Sequence, residues 1–77
     1  MDDNTRSIIR AFYREILEVL IIADAELEKK RNRKTEDQQL FVAAQEMAIM
    51  ELAEKLGLDV SDISNELCGF KEDDNNE

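Results

Sequence analysis

Three carboxylates stand out for the chemistry they could do together. Glu15 and Glu18 lie three residues apart, so a helix would present them on one face, and Glu46 falls in a second helical stretch. A hairpin would bring the two stretches side by side, which makes the three a candidate carboxylate site. Other reactive residue types are sparse. Cys68 is the single cysteine, which excludes an internal disulfide, and the chain has no histidine to activate its thiol. The missing histidine also removes Ser-His and Cys-His catalysis and most zinc sites. Two glycines, Gly57 and Gly69, leave no room for a glycine-rich phosphate loop. The remaining cluster is cationic: Lys29, Lys30, Arg31, Arg33 and Lys34 within six residues. It contains no aromatic residue to stack on bases, and it reads as a solvated turn that offsets surrounding acid.

The elements that must position these residues are helices. Proline is absent, and 38% of the chain is charged. Apolar residues recur at Ile9, Tyr13, Ile16, Leu20, Ala23 and Leu27 with the alternating four-three spacing of a helix–helix seam. Ile8, Phe12, Leu17, Val19, Ile21 and Ile22 lie beside that seam, so the apolar face of the first helix is wider than one partner helix covers. Asn4 or Thr5 is the expected N-cap. A second helix is expected to open at Thr35, with Thr35-Glu36-Asp37-Gln38 as a capping box, and to end at Gly57 with Leu58 making the accompanying apolar contact. Its methionines, Met47 and Met50, are assigned to the core, with an adaptable binding surface as the alternative. A short third helix, capped by Asp59 or Ser61, carries Val60, Ile63 and Leu67 on one side and stops near Gly69.

Two stretches resemble known families. Leu52 to Ile63 is similar to helix-turn-helix repressors, with Ala53 where the helices pack closely, Gly57 in the turn and Ile63 in the following helix. The resemblance implies a DNA-reading third helix, which here carries Asp62, Asn65 and Glu66 and no cation for phosphate or guanine. Glu15, Glu18, Glu46 and the stretch from Glu46 to Val60 resemble the MazG-like all-α nucleoside triphosphate pyrophosphatases, whose signature is E-E-x-x-E followed by E-x-x-D. That resemblance implies carboxylates holding magnesium over a nucleotide. Arg14 and Ile49 occupy two of the five carboxylate positions, so what it implies is a scaffold that has lost its metal site.

Charge and length set the frame. The net charge is −9: residues 1–28 carry −4, residues 29–34 carry +5, and residues 35–77 carry −10. Such an acidic exterior repels phosphate backbones. No apolar run approaches the length of a membrane span and the first residues are acidic, which points to a cytoplasmic protein. The reading is an all-α fold: a long antiparallel hairpin plus a short third helix, completed as a dimeric four-helix bundle. Residues 1–70 form one helical domain and 71–77 a disordered acidic tail. Phe12, Ile16, Val19, Leu20, Ile22 and Ala23 are the expected dimer interface. The expected function is non-enzymatic and needs no cofactor or metal: a small acidic interaction module, a regulator, adaptor or inhibitor of the kind phages and mobile elements carry. Its partners would be itself and a second protein with a basic surface. A helix-turn-helix regulator and a degenerate MazG-like scaffold are the alternatives.

Overall fold

The computed structural model describes residues 2–69, and all regular structure among them is helical. Helix α1 (Asp3–Lys29) and helix α2 (Arg33–Lys55) form the hairpin. A short α3 (Ser61–Ser64) follows and widens into a π-helical turn over Asn65–Gly69. The tail assigned to residues 71–77 lies outside the described residues. No described helix is long and apolar enough to cross a membrane.

Both long helices start earlier than their sequences suggest. Asp2, not Asn4 or Thr5, caps α1, its Oδ1 accepting the Thr5 amide at 2.8 Å. Several adjacent residues can cap equally well, and the carboxylate has the further advantage of negative charge at the positive end of the helix dipole. Asn32 caps α2, and Thr35 is its third residue. Thr35 N–H donates to Asn32 Oδ1 (2.9 Å) while Asn32 N–H donates to Thr35 Oγ1 (3.0 Å). The capping box is therefore Asn32-to-Thr35, and the connection shrinks to Lys30, Arg31 and Asn32. The cationic run is split between the end of α1, the tip and the start of α2.

The end of α2 follows the sequence closely. Gly57 has φ 75°, a left-handed conformation that costs a residue with a Cβ. Its amide donates to Glu54 O (3.0 Å) and that of Leu58 to Ala53 O (2.8 Å), the paired bonds of a Schellman stop. Leu58 is buried. In the next turn Asp59 Oδ1 accepts both the Ser61 amide (3.0 Å) and its hydroxyl (2.8 Å). Val60 occupies the N-cap position of α3 itself and is buried instead.

Tyr13, Leu17, Ala53, Leu58, Val60 and Ile63 make the core, with Ile9, Leu20, Ile49 and Leu67 packed around it. All of this lies at the end of the hairpin away from the Lys30–Asn32 connection. Helix α3 runs back along α1, fixed by Arg10 and Arg14. The Arg10 guanidinium donates to both carboxylate oxygens of Asp62 (3.0 and 2.6 Å) and to Asp59 O (2.9 Å), and Arg14 donates to Glu66 (2.8 Å). Met47 and Met50, assigned to the core from sequence, are exposed at 66% and 36%. The side of α2 that meets α1 is instead marked by Gln39, Val42, Glu46, Ile49 and Ala53.

Candidate interaction face

The three carboxylates do not converge. Glu46 points between the helices and accepts the Tyr13 hydroxyl at 3.0 Å, whereas Glu15 and Glu18 are exposed. Among the described residues no three histidine, cysteine, aspartate or glutamate side chains are grouped to hold a metal. The two residues that break the pyrophosphatase pattern have structural work: Arg14 holds Glu66, and Ile49 packs on the core. Tyr13 is fully buried, and burial together with the acceptor Glu46 pushes its pKa up to about 12. A phenol held neutral in this way is a packing element with one satisfied polar end.

The helix-turn-helix positions are occupied as packing would have them. Ala53 is 1% exposed and Ile63 is 2% exposed, both facing the core. Asp62 and Glu66, which a reading helix would aim at DNA, are turned to Arg10 and Arg14 of α1. The ion pair holds the Asp62 carboxyl below its ordinary value. Lys29 to Lys34 are exposed around the hairpin tip, where Arg31 approaches Glu36 at 3.7 Å.

The six residues assigned to a dimer interface fall into two groups. Ile16 is 8% exposed, and Leu20 and Ala23 are half-buried, because the chain's own hairpin already covers much of them. Phe12, Val19 and Ile22 are open at 48%, 49% and 61%. With 3.6 residues per turn, Phe12 and Val19 lie roughly 150° around α1 from Arg10 and Arg14, on the side away from α3. Helix α3 therefore covers one flank of the hairpin and leaves the other bare.

The bare flank extends beyond the sequence-derived set. It takes in Ile8 on α1 and Phe41 and Leu52 on α2, all exposed. Val19, Ile22, Ala23 and Glu26 face Gln38, Phe41 and Val42 across a shallow groove of about 260 Å³ between the two helices. A signal for it existed in the sequence. Ile8, Phe12, Glu15, Val19, Ile22 and Glu26 carry a second four-three spacing beside the seam, and Lys34, Gln38, Phe41, Gln45, Ala48 and Leu52 repeat it on α2. Polar residues at two positions of the α1 row, Glu15 and Glu26, and at three of the α2 row, Lys34, Gln38 and Gln45, conceal it.

The chain matches no model of a known protein family, no curated protein and no solved structure.

Proposed function

We propose that this chain is a non-enzymatic helical interaction module that pairs with itself through the bare flank of its hairpin. In this reading the paired form presents an acidic exterior to a second protein with a basic surface, as a small regulator, adaptor or inhibitor. The observation that carries the reading is the apolar row opposite α3, with Phe12, Val19 and Ile22 on α1 and Phe41 and Leu52 on α2 between 45% and 65% exposed. Contiguous apolar surface of this kind on a small soluble domain marks a binding face. The exterior left over after pairing is strongly of one sign, and such a surface steers association with an oppositely charged partner.

The test is a charge placed in the middle of the flank. Val19→Glu is expected to weaken self-association by about 100-fold or more, because seating an unpaired carboxylate in an apolar interface costs about 3 kcal/mol or more. Helical circular dichroism should be unchanged, since Val19 is 49% exposed within the chain. Sedimentation equilibrium on wild type and variant reads both. Equal association of the two would place the contact elsewhere. A DNA-reading role has no comparable support, because the acidic residues of the third helix are engaged by α1.

A further inference from the structure

The bare flank runs along one side of the hairpin, with residues of both α1 and α2 lining its groove. We infer that the two hairpins pack face to face about a two-fold axis parallel to their length, with both tips at the same end and α1 of each copy lying on α2 of the other. This rests on the self-pairing proposed above and adds its geometry. The register within one chain is fixed at both ends by hydrogen bonds: Tyr13 to Glu46 at 3.0 Å and Gln39 to Asp24 at 3.0 Å. A two-fold axis along the hairpin preserves those levels, so each residue of the α1 row meets the residue of the α2 row at its own height.

The resulting partners are compatible in size and charge at five of the six levels, the exception being Ile22, which meets Gln38. Phe12 meets Ala48 of the second copy, large against small, while Val19 meets Phe41 and Ile8 meets Leu52. Glu15 meets Gln45, a pair able to hydrogen-bond. Glu26, on the rim of the groove, meets Lys34, so the charges brought together in this row have opposite signs. The basic tips can adjoin because the five cations of residues 29–34 are matched by five carboxylates between Asp24 and Asp37. The alternative two-fold, with tips at opposite ends, lays α1 on α1 and α2 on α2. It would set Ile8 against Glu26, Glu15 against Val19, Lys34 against Leu52 and Phe41 against Gln45, burying polar groups on apolar ones at most levels.

The area suffices. A face about 35 Å long and two helices wide, about 20 Å, offers roughly 700 Å² per copy, or roughly 1,400 Å² in total. Stable interfaces bury about 1,200–2,000 Å².

Pulsed dipolar EPR decides between the orientations. A spin label at the tip, on Arg31→Cys in a Cys68→Ser background, is expected to give a label-to-label distance below about 25 Å, because adjoining helices pack about 8–10 Å apart. A distance of about 40 Å, the length of α1, would overturn the orientation while leaving self-pairing intact. No dipolar signal together with a monomer mass would overturn the orientation and the pairing beneath it. As an independent readout, Glu26→Lys and Lys34→Glu are each expected to weaken their own dimers. Mixed together they should form the heterodimer in several-fold excess over the statistical amount, since both rim contacts are then complementary. A statistical mixture would contradict the Glu26–Lys34 contact and the register with it.

Discussion

At the residue scale, Tyr13 does the most for this small core and also carries its most telling titration. The ring is fully buried, and its hydroxyl is satisfied by Glu46. Tyr13→Phe removes one hydrogen bond without opening a cavity, so the expected cost is about 1 kcal/mol, read from urea denaturation. The pH dependence has a definite sign. The folded-state pKa is raised from 10.0 to about 12, first by burial and then by the Glu46 acceptor. The stability tied to a neutral Tyr13 is therefore complete below pH 10 and lost as pH rises toward 12. The wild type should lose stability over that interval, and Tyr13→Phe should lose less of it. A variant with the same alkaline slope as wild type would show that another group controls it.

At the element scale, helix existence and one helix end were legible in the sequence, while two helix starts and the placement of the third helix were not. The Gly57 stop could be read because few residues other than glycine accept a φ of 75°. Gly57→Ala tests this cleanly, since an added Cβ would meet nothing within 4 Å and only backbone strain is introduced. A loss of about 1–2 kcal/mol is expected in thermal or urea unfolding. No loss would mean that the Schellman stop tolerates a Cβ and does not set the end of α2. The starts were ambiguous because Asp2, Asp3, Asn4 and Thr5 are all competent caps, as are Asn32 and Thr35, and local sequence does not rank them. The docking of α3 on α1 depends on pairs such as Arg10–Asp62, separated by 52 positions, which no periodicity reveals. The candidate metal cluster failed for a related reason: spacing put Glu15 and Glu18 on one face of α1, but packing turned Glu46 toward Tyr13.

At the scale of the whole molecule, the excess apolar width of α1 was visible in the sequence, but how it is divided was not. The chain's own α2 covers Ile16 and partly covers Leu20 and Ala23, α3 covers the flank of Leu17, and Phe12, Val19 and Ile22 are left open. A domain of this size buries a modest share of its surface, so a second copy covering the open flank, as proposed, would add to its folding stability. Stability should accordingly rise with protein concentration, as it does for any protein whose folded form is favoured by association. The central claim, that a second copy covers this flank, is tested most directly by solution molar mass from light scattering across a range of concentrations. A mass approaching twice 8.9 kDa is predicted, and a mass that stays at 8.9 kDa at every concentration would contradict it.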